Sequence, residues 1–140
     1  MSRPKRKRIV EAPPPMEGFK PFGIPMKNLE PVILLYEEYE AIRLADYERL
    51  THEQAAEQMK VSRPTFTRIY EKARQHIAEA FVEGKAIFIE GGDFQSDNYW
   101  YKCESCKKLN IHETMSGRCS YCNSGTLRLL NKIPAKNEYQ

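Results

Sequence analysis

The sequence lacks the long apolar runs that cross membranes. One of its longest apolar stretches, residues 31–36, is far too short to span a bilayer. The basic segment at the start of the chain is not followed by the apolar segment that a signal peptide requires. We therefore expect a cytoplasmic protein that has no membrane partner.

Residue sets typical of enzymes are also missing. The three histidines, His52, His76 and His112, lie in unrelated segments of the chain. No Ser-His-Asp set, no carboxylate pair and no glycine-rich loop that could hold phosphate stands out. We therefore expect a protein that binds other molecules and is not an enzyme.

Cysteine is confined to one region, where it forms two Cys-x-x-Cys pairs. Cys103 and Cys106 form the first pair, Cys119 and Cys122 form the second, and 12 residues separate them. Four thiolates complete a tetrahedral zinc site and leave no position open for a substrate. The spacing predicts one structural Zn²⁺ per chain in a small zinc ribbon, and His112 is then a surface or packing residue.

Two other interpretations of the cysteines are weaker. Disulfides require an oxidising compartment, which a cytoplasmic protein does not meet. Iron in a rubredoxin-like site is the main rival, but rubredoxin pairs lie further apart and favour glycine just after each pair. This chain has Lys107 and Asn123 there. A redox pair of the thioredoxin type would need a βαβ context.

Composition divides the chain into parts. Residues 1–92 form a mainly α domain that carries a basic arm and, over residues 11–31, an extended strap rich in proline and glycine. Residues 93–98 are a polar linker, residues 99–134 are the small β zinc ribbon, and residues 135–140 are a tail. The ribbon is too small to fold without its metal.

Three helices are expected in the first domain. Apolar periodicity predicts a helix over residues 36–47. Thr51 and Gln54 form a capping box that starts the second helix. Ser62 caps the third helix, Pro64 fits its first turn, and Gly84 ends it. A short strand is predicted over residues 85–90.

The second and third helices have the order of features that defines a helix-turn-helix. Ala56 is the small residue at the helix crossing, Lys60 is at the turn, and Val61 closes the core after it. The turn position usually carries glycine because its backbone is left-handed. We expect Lys60 to cost on the order of 1 kcal/mol there.

In a helix-turn-helix, the start of the third helix contacts bases in the major groove. The residues expected on that outer surface are Arg63, Pro64, Thr67 and Arg68. Arginine can donate two hydrogen bonds to guanine. Lys72 lies further along the helix and is expected to contact phosphate.

The net charge of +3 is modest, but its distribution is uneven. The start of the chain carries a basic arm made of Arg3, Lys5, Arg6, Lys7 and Arg8. Such an arm enters the minor groove or follows phosphates in some DNA-binding proteins. A solvated tail explains the same charges, and both interpretations stay open.

Two resemblances extend this interpretation. Residues 50–63 resemble region four of bacterial sigma factors, which binds the promoter −35 element. A denser resemblance, to an uncharacterised prokaryotic family of predicted DNA-binding proteins, covers residues 1–92. It is carried by residues 19–21, 23–26, 37–46, 61–66 and 84–92. That resemblance implies a sigma-region-four-like helix-turn-helix and DNA binding, with no known target.

The leading hypothesis is therefore a sequence-specific regulator of transcription that binds double-stranded DNA through the helix starting at Ser62. The alternative is a protein–protein adaptor of the transcription machinery. In that case the zinc ribbon would contact RNA polymerase or another protein. A homodimer is left open.

Overall fold

The computed structural model describes residues 8–25 and 30–131, and these residues form two compact units. The first unit contains residues 8–10 and Met16–Phe94, and the second contains Glu11–Pro15 and residues 95–131. The chain passes into the second unit after Val10, returns at Met16 and leaves again after Phe94. Only this last change falls inside the predicted linker of residues 93–98. The predicted arm residues Arg3, Lys5, Arg6 and Lys7, and the tail of residues 135–140, lie outside the described residues.

Helices and short strands build the first unit. In chain order they are Arg8–Ile9 (β1), Gly18–Phe19 (β2), Val32–Leu34 (β3), Tyr36–Ile42 (α1), His52–Met59 (α2), Arg63–Glu83 (α3) and Ile87–Ile89 (β4). A π-helical turn, Arg43–Tyr47, continues α1, so the predicted helix over residues 36–47 is confirmed. Phe94–Gln95 (β5) follows at the boundary between the units.

The predicted helix ends are confirmed at α2 and α3. The Thr51 hydroxyl accepts a hydrogen bond from the Gln54 backbone N–H at 3.1 Å, and the Gln54 side chain accepts one from the Thr51 N–H at 3.0 Å. Ser62 caps α3, and Gly84 ends it in the left-handed region with φ 70°. The helices pack around a core formed by Ala41, Leu44, Ala55, Ala56, Met59, Phe66 and Ile69.

The prediction of a mainly α domain holds only in part, because the first unit also contains a three-stranded sheet. β4 is the single strand predicted over residues 85–90, and it lies in the middle. β2 pairs with it antiparallel and β3 pairs with it parallel. β2 and β3 are two and three residues long, so their own sequences carry no usable periodicity. Pairing with the distant β4 is what makes them strands.

The second unit contains a three-stranded antiparallel sheet. Its strands are Tyr99–Cys103 (β6), Leu109–His112 (β7) and Leu127–Leu129 (β8), in the order β7-β6-β8. All three strands lie within residues 99–134, for which a small β unit is predicted. Trp100 is fully buried, and its backbone N–H donates to the Asn131 side chain at 2.9 Å. Within residues 8–25 and 30–131, no helix has the length and apolar character needed to cross a membrane.

Candidate metal centre and nucleic-acid interface

The four cysteines converge at one end of the β7-β6-β8 sheet. Cys103 is the last residue of β6, and the other three lie in the two turns that follow β6 and β7. All four Sγ atoms lie within 4.8 Å of one another, and all four thiols are free. The chain therefore brings its two Cys-x-x-Cys pairs together into one candidate metal centre.

The spacing of the sulfurs fits a tetrahedral ion. An ion about 2.3 Å from four tetrahedral sulfurs places each pair of sulfurs about 3.8 Å apart. The Cys103–Cys122 and Cys106–Cys119 Sγ distances are both 3.6 Å. Four thiolates suit zinc, and they also suit iron, so the donor set fits the predicted metal class without selecting one ion.

Each cysteine pair is held by the same backbone turn. The Lys107 N–H donates to the Cys103 carbonyl at 2.9 Å, and the Asn123 N–H donates to the Cys119 carbonyl at 3.0 Å. Lys107 and Asn123 are both left-handed, with φ 65° and 60°. The positions where rubredoxins favour glycine thus adopt the backbone that glycine prefers, although neither residue is glycine.

Two hydrogen bonds to the Cys119 Sγ favour its thiolate form. Its Sγ accepts from the Tyr121 backbone N–H and from the Asn110 side-chain amide, both at 3.4 Å. Burial raises the pKa of Cys119, but the backbone N–H groups of Cys122 and Tyr121 and the Asn110 amide outweigh burial and lower it to about 6. The lowered pKa favours the thiolate, the form that binds metal.

The pKa values of Cys103 and Cys122 shift in opposite directions. The backbone N–H of Cys106 lies 3.4 Å from the Cys103 Sγ and lowers the pKa of Cys103 despite burial. The Ser124 N–H lowers the pKa of Cys122, but burial and the neighbouring thiols raise it to about 11. Four sulfurs this close cannot all ionise without a cation between them, which is the property of a metal centre.

Two basic side chains near the cysteines contact groups other than the sulfurs. The Arg118 Nη1 donates to the Asn123 carbonyl at 3.1 Å, and the Lys108 Nζ lies 4.7 Å from the centre of the Tyr121 ring. His112 lies outside the sulfur cluster, as predicted, with its ring 6.0 Å from that of Tyr101. Backbone and side-chain N–H groups reach the sulfurs of Cys103 and Cys119, and the Thr126 hydroxyl lies 3.9 Å from the Cys103 Sγ.

In the first unit, a tight turn joins α2 to α3. Lys60 ends α2 in the left-handed region, with φ 57° and ψ 42°. The Val61 N–H donates to the Ala56 carbonyl at 3.0 Å, and Val61 packs against the helical core. Ala56 is 3% exposed and belongs to the helical core.

The predicted reading residues on α3 fall into two groups. Arg63, Pro64, Arg68 and Lys72 are exposed. Thr67 is half-buried, and its hydroxyl lies 2.9 Å from the His52 Nδ1. The Thr67 hydroxyl therefore contacts a side chain of α2. Three of the predicted residues, Arg63, Arg68 and Lys72, are thus exposed cations.

A cleft of about 800 Å³ lies beside the first half of α3. Its wall includes the cations Lys60, Arg68, Lys72 and, from β1, Arg8. The same cleft also contains the carboxylates of Glu37, Glu38 and Glu57. The charges nearly balance, so the cleft does not suit a small polyanion.

The roles of several residues in these two sites could not be predicted from the sequence. Glu37 is 5% exposed and lies 3.3 Å from the Arg8 Nη1, although its place in the first turn of a helix indicates only a favourable dipole contact. Asn110 is buried beside Cys119, in a strand that the sequence does not predict. The position of Lys60, in contrast, could be predicted, because the sequence places this residue in the turn before α3.

Residues 1–97 match the family model described as "Protein of unknown function DUF134". The chain belongs to this family. It is 45% identical to a UPF0251 protein of Chloroherpeton thalassium over 126 residues, which are 89% of this chain and 83% of that protein. A UPF0251 protein of Clostridium novyi is 38% identical over 140 residues, 99% of this chain and 95% of that one. No solved structure matches the chain.

Proposed function

We propose that the chain is a sequence-specific DNA-binding protein and a regulator of transcription. It reads the major groove of double-stranded DNA with the start of α3. The C-terminal unit is a zinc ribbon that holds one structural Zn²⁺. The observation that carries the proposal is the arrangement of α2, the left-handed Lys60 and the Ser62-capped α3, whose first half exposes Arg63, Arg68 and Lys72.

The side chains of α3 suit this role. Arg63 is the first residue of the helix and is exposed, so its guanidinium can reach a guanine edge. The Arg68 Nη2 donates to the Thr65 hydroxyl at 3.1 Å, which orients the guanidinium while its other N–H donors stay available. Lys72 is one turn further along and is suited to a phosphate. Pro64 offers apolar contact only.

Selection of bound sequences from a random pool of duplex DNA tests the proposal, with zinc-loaded protein as the bait. We expect one enriched motif. Arg63→Ala should relax the motif at one position, whereas Arg74→Ala should leave it unchanged. Arg74 is the matched control because it lies on the same helix but over the Tyr70 ring, at 5.5 Å. A pool without enrichment would count against sequence-specific reading.

Elemental analysis tests the metal. Protein purified without added metal should contain one zinc per chain, since the four thiolates suit a closed structural site. One iron per chain, together with a red colour, would show that the site holds iron and not zinc. The absence of any metal would reject the structural role.

One observation favours the adaptor alternative. The second unit exposes large apolar side chains, with Met115 75% exposed, Tyr121 63% and Ile111 43%. Exposed apolar side chains are common at protein–protein interfaces. Binding of the purified protein to purified RNA polymerase, lost in a Met115→Ser and Tyr121→Ser double variant, would support the adaptor. If DNA selection enriches no sequence and the protein still binds RNA polymerase, the adaptor becomes the better account.

A further inference from the structure

Exposed apolar side chains are concentrated at the C-terminal end of α3 and in the segment that follows β2. In the last turn of α3, Phe81 is 87% exposed and Val82 is 79% exposed. After β2, Phe22 is 98% exposed and Ile24 is 45% exposed. Single exposed apolar side chains are common on protein surfaces, whereas several together mark an interaction surface.

These two segments meet at the end of α3. Phe19 in β2 pairs antiparallel with Ile87 in β4, so the chain after Phe19 runs back towards the residue that ends α3. A Cβ atom at Gly84 would lie 3.1 Å from the Ile24 Cδ1, which places Ile24 directly against that residue. The two segments therefore form one surface, the apolar patch, made of Phe19, Phe22, Ile24, Phe81 and Val82.

The area of the apolar patch fits one side of a homodimer interface. Phe19 is 61% exposed, and a whole phenylalanine offers about 200 Å², so Phe19, Phe22 and Phe81 together present roughly 500 Å². A standard interface buries about 800 Å² on each partner, of which about 65%, or roughly 500 Å², is apolar in homodimers. The three rings alone supply the apolar area that a stable dimer needs.

The charges beside the apolar patch suit a second copy of the same surface. The Lys85 Nζ lies 3.4 Å from the Glu79 Oε2 and 3.6 Å from the Glu83 Oε1. Both signs of charge therefore border the patch. A contact about a two-fold axis repeats each pair of residues in the opposite sense, so each copy offers a cation to the acids of the other.

We propose that the apolar patch joins two copies of this chain about a two-fold axis. Aromatic side chains dominate the binding energy of such interfaces, and two-fold dimers are the commonest oligomers. The patch lies at the opposite end of α3 from Arg63, about 30 Å along the helix. The pairing goes beyond the proposed function and does not require that the protein bind DNA.

Sedimentation velocity of the full chain as purified, without DNA, tests the pairing. Interfaces of this size reach micromolar affinity or better, so protein at roughly 100 μM should have the mass of two chains and should dissociate on dilution. Phe81→Gln should raise the dissociation constant of the dimer by roughly tenfold or more, because both copies lose the ring at once. Glutamine is a good helix former, so α3 should persist.

Tyr47→Gln is the matched control, because Tyr47 is an aromatic residue of the same unit and is 79% exposed. Its neighbour Asp46 accepts from the Tyr70 hydroxyl at 2.7 Å, and Tyr70 precedes Phe81 by about 16 Å along α3. The dissociation constant should then change by less than about twofold, since no contact of the patch is lost. Circular dichroism checks that each variant folds. If Phe81→Gln does not fold, Phe22→Ser takes its place, and the same weakening is expected.

Three results would overturn the pairing. The first is the mass of a single chain at the highest concentration. The second is a dimer whose dissociation constant is unchanged in both folded variants, Phe81→Gln and Phe22→Ser. The third is a dimer that these variants leave intact but that a Met115→Ser and Tyr121→Ser double variant abolishes, which would assign the contact to the second unit. Each result leaves the proposed DNA binding to its own test.

Discussion

Lys60 should lower the stability of the fold and strengthen DNA binding, and two substitutions can separate these effects. A residue with a side chain in the left-handed region costs roughly 1–2 kcal/mol, and glycine avoids this cost. Lys60 has φ 57° and an exposed side chain. Lys60→Gly relieves the backbone and removes the charge. Lys60→Ala removes the same charge and keeps the unfavourable backbone.

The difference in stability between the two variants measures the cost of the left-handed backbone at residue 60. Glycine loses roughly 0.5–1 kcal/mol more conformational entropy on folding than alanine does, which offsets part of the relief. We therefore expect Lys60→Gly to be about 1 kcal/mol more stable than Lys60→Ala. For a unit of 60–100 residues, this corresponds to about 4–8 °C in Tm. Thermal unfolding of the zinc-loaded protein, followed by circular dichroism, measures it.

DNA binding should respond differently, because both variants lack the same charge. If Lys60 contacts one phosphate, each variant should lower the salt slope by about 0.9, and their affinities should agree. A Lys60→Gly protein that is no more stable than Lys60→Ala would refute the backbone argument. Affinities that differ between the two would show that the turn geometry, and not the charge, matters for binding.

Changes at α3, at the basic arm and at the metal centre should have separable effects. Arg63→Ala should cost roughly 1–3 kcal/mol on the preferred DNA site and less on random DNA, measured by fluorescence anisotropy; equal losses would reject a reading role. Deleting residues 2–7 should lower affinity for all sequences and flatten the salt dependence, and a change in site preference would instead indicate minor-groove reading. Cys106→Ser, or acidification that protonates the thiolates, should release the metal in a chelator-dye assay. The helical signal of the first unit should persist in Cys106→Ser, and its loss would show that the helices depend on the metal.

Local chemistry explains which parts of the fold could be predicted. The ends of α2 and α3 depend on side chains within three residues of the cap, as Thr51 and Gln54 show, so the sequence predicts them. The cysteine cluster could also be predicted, because the spacing within each pair limits how its sulfurs can be placed. The contacts that fix each cap and each cysteine pair are short in sequence, whereas the Cys103–Cys122 and Cys106–Cys119 contacts between the pairs span 19 and 13 residues.

The remaining parts depend on contacts between distant residues. Val32–Leu34 becomes a strand by parallel pairing with Ile87–Ile89, and neither segment indicates the other. The acid that holds Arg8 lies in a helix whose first turn is rich in glutamate, and only the fold selects Glu37 for that contact. The amide of Asn110 reaches Cys119 because antiparallel pairing of Leu109–His112 with Tyr99–Cys103 carries it there. Sequence patterns of helices and turns hold no information on these pairings.

The left-handed positions of the chain connect its stability to its charge. Among the described residues, the non-glycine residues with positive φ are Arg49, Lys60, Lys107 and Asn123. Three of these four are basic, although glycine would be the more stable choice at each. At Lys60 the cation lies in the turn that precedes α3 and faces the cleft. If Lys60→Gly proves more stable and binds DNA less tightly, the unfavourable backbone at this turn is the cost of placing a cation where the helix meets DNA.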